Sequence, residues 1–112
     1  MNNLLEETLQ VLRDNGKSEE DVVFVMSFPL TTSWEAFKRN ANFEYDDDYG
    51  CNQISLNLKI VGDSWWLERN EYDGSEWWEF KTQPNTRNTR LAFPHEVMTM
   101  IKANQYSEVY NV

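Results

Sequence analysis

The chain has one cysteine, one histidine and ten basic residues among 112, and it has no long apolar run. Each shortage excludes something. A lone Cys51 cannot form an internal disulfide. Cys51 and His95 lie far apart in sequence with no motif around either, so a nucleophile–base couple would need the fold to bring them together. A serine nucleophile elbow, a phosphate-binding loop, a Rossmann glycine pattern and zinc-ligand spacing are all missing. The expectation is a non-enzyme without cofactor or metal. The longest apolar runs, such as Val22 to Met26, fall well short of the roughly 20 residues that span a bilayer. The start, MNNLLEETLQ, is acidic and lacks the basic region of a secretory signal. A cytoplasmic protein with no membrane partner is expected.

Basic residues are also scarce relative to acidic ones. Nineteen acidic side chains give a formal net charge of −9 and a pI near 4.5. Such a field repels nucleic-acid phosphates, so direct nucleic-acid binding is not expected. It attracts basic partners, including proteins that themselves handle nucleic acid.

What is present suits a single α+β domain over residues 1–112. Apolar residues make up 40% and aromatics 14%, enough to bury roughly two-thirds of the unfolded surface. Leu5, Leu9 and Leu12, flanked by Leu4 and Val11, form one helical stripe, so residues 3–14 read as a helix. Asn3 and Glu6 stand as a capping pair, and Gly16 as the stop. Val22–Met26 is β-branched and reads as a strand ended by Pro29. Thr32 and Glu35 make a capping box for a helix over Ser33–Asn40. Ala41–Tyr49 is an acidic loop. Strands are expected at about 53–61, 64–72 and 75–82, as an antiparallel meander within a three- to five-stranded sheet. Pro94 opens a third helix, His95–Ala103. The tail 104–112 is expected to form an edge strand or to lie over the core.

Four of the five tryptophans sit in GDSWWLERNEYDGSEWWEF, residues 62–80, as two adjacent pairs. Neighbouring strand residues face opposite ways, so each pair must split. Asp73-Gly74 is a preferred two-residue turn. It sets Arg69 opposite Trp78, Glu68 opposite Glu79, Leu67 opposite Phe80 and Trp66 opposite Lys81. A Gly62-Asp63 turn sets Ile60 opposite Trp65, Leu58 opposite Leu67 and Lys59 opposite Trp66. A three-residue loop at Tyr72-Asp73-Gly74 would put Glu79 opposite Leu67 and is rejected, whereas a four-residue loop would leave the faces unchanged. One face then holds Ile54, Leu56, Leu58, Ile60, Trp65, Leu67, Trp78 and Phe80. The other holds Ser55, Asn57, Lys59, Trp66, Glu68, Asn70, Trp77, Glu79 and Lys81. A one-residue slip would mix the two sets.

The second face admits three readings: a surface covered by a helix or the tail, a protein-binding patch anchored by tryptophans, or a stacking platform for a sugar or base. Trp66 between two lysines is open to cation–π contact. Glu68 facing Glu79 could also serve a metal or acid–base chemistry in a small ligand-binding module. Asp46-x-Asp48-x-Gly50 has half of a calcium-loop pattern, but the position that would need Glu is Asn57. Candidate partner contacts are therefore the acidic loop, Glu44, Asp46, Asp47 and Asp48, and the outer face, Trp66, Glu68, Trp77 and Glu79. A homodimer could form by pairing free strand edges at 22–26 or 75–82.

The blocks Trp65-Trp66-Leu67-Glu68-Arg69 and Glu71-Tyr72-Asp73-Gly74-Ser75-Glu76-Trp77-Trp78-Glu79-Phe80-Lys81 resemble small acidic proteins of bacterial phages and mobile elements. Gly16-Lys17-Ser18, Asp21-Val22 and Ser33-Trp34-Glu35-x-Phe37 are similar as well, so the likeness spans roughly residues 12–84. It implies a setting of accessory genes in a bacterial host cell, and an inhibitor of host defence of the anti-CRISPR or anti-restriction class. The target would be a basic protein or ribonucleoprotein, blocked sterically or by phosphate mimicry. A toxin-immunity or structural interaction protein is the alternative. The group has no assigned catalytic residues to carry over, and 85–112 lies outside the likeness.

Overall fold

A computed structural model of the chain describes residues 2–48 and 50–102. Its elements run β1 Asn2–Asn3, α1 Leu4–Asp14, β2 Val22–Ser27, β3 Leu30–Thr32, α2 Trp34–Asn40, β4 Glu44–Tyr45, β5 Leu58–Gly62, β6 Trp65–Tyr72, β7 Ser75–Thr82 and α3 Val97–Ile101. The arrangement is α+β. Five antiparallel strands order as β3-β2-β5-β6-β7, and β1 pairs separately with β4.

Local chemistry sets the helix ends. The Asn3 side chain accepts a hydrogen bond from the Glu6 amide at 3.0 Å, satisfying one of the orphan donors of α1. At the other end Gly16 has φ +71°, and its amide donates to the Arg13 carbonyl while Lys17 donates to Leu12. This is a Schellman stop, and a left-handed C′ position of this kind favours glycine. The buried row of α1 is Leu4, Thr8 and Leu12, with Leu5, Leu9 and Val11 beside it. The expected leucine stripe is thus rotated to centre on a threonine. In α2 the cap is Ser33, which accepts from the Ala36 amide at 3.1 Å. Thr32, the expected cap, is instead the last residue of β3.

The β6–β7 hairpin has the expected register throughout, from Tyr72 opposite Ser75 to Trp66 opposite Lys81. Asp73 and Gly74 both take positive φ, 51° and 88°, as a type I′ turn requires. The β5–β6 turn differs by two residues. Ile60 pairs with Leu67, Val61 with Trp66 and Lys59 with Glu68, so residues 62–65 intervene and the faces are unchanged. Ile60 and Leu67 are fully buried at the centre of the core with Val25, Trp65 and Trp78.

Two strand expectations are corrected. Residues 53–57 are not strand: the amides of Gln53 and Ile54 donate to the Glu76 carboxylate at 2.7 and 3.1 Å. That side chain takes the donors a ladder would have used. Ile54 still reaches the core, but Leu56 is 47% exposed. Residues 22–26 are not a free edge either, because β2 lies between β3 and β5. Beside the start of β7 runs the loop after β4, with the Glu76 amide donating to the Asp47 carbonyl at 2.9 Å and Gly50 to the Gly74 carbonyl at 3.3 Å. The expectations for residues 103–112 lie outside the described residues.

The β5–β6 turn is closely packed. A Cβ on Gly62 would fall 2.0 Å from the Trp65 indole. Gly62→Ala is therefore expected to lower stability by about 1–3 kcal/mol, the usual cost of overpacking. A fall in the urea midpoint checks this, and an unchanged midpoint would show that the indole moves aside freely.

Candidate functional site

The sheet has two unlike faces. Helices α1 and α2 bury Leu4, Leu12, Trp34 and Phe37 in the core with Trp65, Leu67 and Trp78. Trp66 and Trp77 point to the other face and are half-buried. Their cross-strand neighbours are Val61 and Lys81 for Trp66, and Asn70 for Trp77. Phe24 and Met26, paired with Val61 and Lys59, extend this face across β2.

Charges on that face are mutually balanced. Lys59 lies opposite Glu68, which lies opposite Glu79. The two-residue change in the β5–β6 turn therefore places a lysine next to the like-charged pair. The Trp66 indole donates to Glu68 at 2.6 Å, in place of the expected seat between two lysines. Asn70 donates to Glu79, and Lys81 pairs with it at 3.1 Å. These contacts, the Asn70 bond first, hold the Glu79 carboxyl below its ordinary range. The Glu79 ion pair in turn raises the Lys81 ammonium. Glu68 and Glu79 thus form part of a neutral polar lattice around two indoles.

The acidic loop adjoins this face. Ser75 shares a face with Trp77, two residues on, and its hydroxyl bonds the Asp48 carboxylate at 2.7 Å. Asp48 closes an Asx turn, its amide donating to Asp46 at 3.1 Å. Asp47 accepts from the Asn2 side chain. β1 sets Asn3 opposite Glu44, which brings the first turn of α1 alongside. The outcome is an acidic pole. Glu6, Glu44, Asp48, Glu71 and Asp73 are exposed there, with Asp46 and Asp47 half-buried between them. Sequence reasoning missed Glu6, Glu71 and Asp73 because three separate segments meet only in the fold. Among the described residues no group of three His, Cys, Asp or Glu side chains is placed to hold a metal ion.

Beneath the pole lies a buried ionic knot. Arg69 and Glu76 are 5% and 3% exposed. The Arg69 guanidinium donates to Glu76 at 3.1 Å, to the Tyr45 hydroxyl at 3.0 Å and to Glu7 at 3.3 Å. Tyr45 donates to Glu7 at 2.5 Å. The guanidinium lies 4.8 Å from the Trp78 ring and 5.6 Å from the Tyr45 ring. Its Nε is buried without a hydrogen-bond partner among the described residues, and the aromatic faces offset part of that cost. The signal was present in the alternation: Arg69 is two residues after Leu67, and Glu76 two before Trp78. Both had to point inward.

No protein-family model, curated protein or solved structure matches this chain. Geometry and charge therefore carry the functional reading.

Two outcomes follow from the knot. Arg69→Met strands two carboxylates against the core, so a loss of about 3–5 kcal/mol is expected by chemical denaturation. Combining it with Glu76→Gln should lose less than the sum of the two single changes; strict additivity would mean the pair is uncoupled. The second outcome concerns alkali. Burial, together with the bond to Glu7, pushes the Tyr45 phenol up to about 12 from 10.0. The fold favours the neutral phenol, so its contribution is complete below pH 10 and is lost as pH rises toward 12. Tyr45→Phe should flatten the fall in stability across that window, as read by denaturation at fixed pH steps.

Proposed function

We propose that this protein is a small acidic binding inhibitor of a basic, nucleic-acid-handling protein or ribonucleoprotein in the bacterial cytoplasm, of the anti-CRISPR or anti-restriction type. The observation that carries this reading is the acidic pole. Exposed carboxylates from α1, the loop after β4 and the β6–β7 turn crowd one end of the molecule, while Arg69 beneath them is buried. Spaced carboxylates on a rigid support can occupy the phosphate sites of a basic groove, and their field speeds encounter. The half-buried Trp77 adjoins the pole through Ser75, Trp66 lies farther along the same face, and both supply the apolar anchors that interfaces favour. Glu44, Asp46, Asp47 and Asp48 act as phosphate mimics in this reading. Trp66, Glu68, Trp77 and Glu79 provide contact area and register. The anti-CRISPR or anti-restriction class is the setting that the expected likeness of residues 12–84 to small acidic phage proteins would imply.

A toxin-immunity protein would use the same chemistry against a basic toxin, and a toxin gene next to this one would favour it. The direct test is retention of candidate nucleases and their guide complexes on the immobilised protein at low salt, with displacement by DNA. Replacing Asp46, Asp48, Glu71 and Asp73 by their amides is expected to weaken retention at least tenfold and to flatten its salt dependence. Trp66→Ala with Trp77→Ala should weaken it further. Retention that survives both sets, or that DNA does not displace, would overturn the reading.

A further inference from the structure

The last described segment is an apolar arm that the other described residues leave uncovered. Leu91, Phe93, Val97, Met98, Met100 and Ile101 are 93%, 57%, 45%, 51%, 64% and 68% exposed. The arm nonetheless holds its own shape. Arg90 forms a two-pronged pair with Glu96, both bonds 2.8 Å, and lies 5.2 Å from the Phe93 ring. Glu96 also accepts from the Phe93 amide at 2.8 Å. These contacts take its carboxyl down to about 2. The helix α3 packs on the one-turn 3-10 helix Pro94–Glu96 before it.

Among the described residues, the body carries an uncovered groove of matching character. Two adjoining cavities of about 290 and 400 Å³ share Phe37, Asn40 and Leu58. Together they form a groove between α2 and the β3 side of the sheet. Its floor is Leu4, Val25 and Ile54, and its rims carry Leu30, 72% exposed, and Phe43, 44% exposed. An apolar groove of this kind accepts a short amphipathic helix.

The arm is poorly placed to fill the groove of its own chain. It leaves from β7, one edge of the sheet, whereas the groove follows β3 and β2 at the other edge. Four strand spacings, about 19 Å, lie between. The connector is also tied down. Gln83 donates to the Ser64 carbonyl at 2.9 Å, and a turn closes from Thr89 to Thr86 at 3.1 Å. The groove lining carries no charged side chain, so apolar contact and placement, not charge, decide what fills it.

We propose that the 90–102 arm of each chain docks into the α2–β3 groove of a second copy, giving a reciprocal, two-fold dimer. Exchange of this kind closes on itself and leaves no free groove. Six apolar side chains seated from each arm would bury on the order of 2,000 Å² in total, within the range of specific interfaces. The proposal does not use the acidic pole, so its failure would leave the proposed function standing.

The test uses the full chain. On a Cys51→Ser background, Ser55→Cys at the groove and Met98→Cys in the arm are combined and oxidised. A disulfide-linked dimer is expected on a non-reducing gel. The unaltered chain is expected to sediment as a dimer at micromolar concentration. Leu30→Asp and Ile101→Asp alter exposed side chains, so each should return it to monomer with an unchanged circular dichroism spectrum. An intrachain disulfide with a monomer mass would overturn the proposal by showing that the arm fills its own groove. Monomer mass with no cross-link would overturn it by showing that the arm does not use the groove at all.

Discussion

The structure turns on one buried cation. Arg69 sits in the middle of β6 on the core face, where an unpaired guanidinium would be prohibitive. Three elements supply its partners: Glu7 from α1, Tyr45 from β4 and Glu76 from β7. Glu76 then spends its remaining acceptor capacity on the Gln53 and Ile54 amides, which pins the segment leading into β5. Thr8, one residue from Glu7, receives the Trp78 indole N–H at 2.9 Å and donates to the Leu4 carbonyl at 2.7 Å. Apolar packing is nondirectional and would tolerate α1 at several angles. The knot selects one, because each polar atom has few places where it can be satisfied.

The same knot organises the surface above it. By drawing α1, β4 and the β6–β7 turn to one end of the sheet, it gathers their carboxylates into a pole. Arg69 is buried below this cluster, so it does not offer a cation to solvent there. The outer sheet face is built on the opposite plan. Lys59, Glu68 and Glu79 lie side by side across the strands, Lys81 pairs with Glu79, and the Trp66 indole donates to Glu68. One surface is a concentrated field and the other a neutral platform with aromatic anchors. In the proposed function the first would steer a basic partner at a distance, and the second would hold it at contact.

How much of this was legible differs by element. The β6–β7 hairpin was readable to the residue, because Asp-Gly demands positive φ at both turn positions and the period of two then follows. The split of each tryptophan pair came with it. The β5–β6 turn was misplaced by two residues, since Gly62 looked like a turn glycine but is kept small by the Trp65 indole against it. The stretch 53–57 alternated like a strand, yet a carboxylate from β7 captured its amides. An indole three residues on decided the first case, and a carboxylate more than twenty residues away decided the second.

The sequence by itself determined both ends of α1, the β6–β7 register, the two faces of that hairpin and the sign of the charge. These depend on neighbouring φ and ψ preferences and on composition, which are local or additive. Only the tertiary structure decided which charges are buried and which stand together. Arg69 and Glu76 are ordinary in the chain, and their pairing with Glu7 and Tyr45 joins residues up to 62 positions apart. The acidic pole and the uncovered arm are likewise products of placement. Where a charge ends up depends on what can satisfy it nearby, and the fold alone brings those groups together.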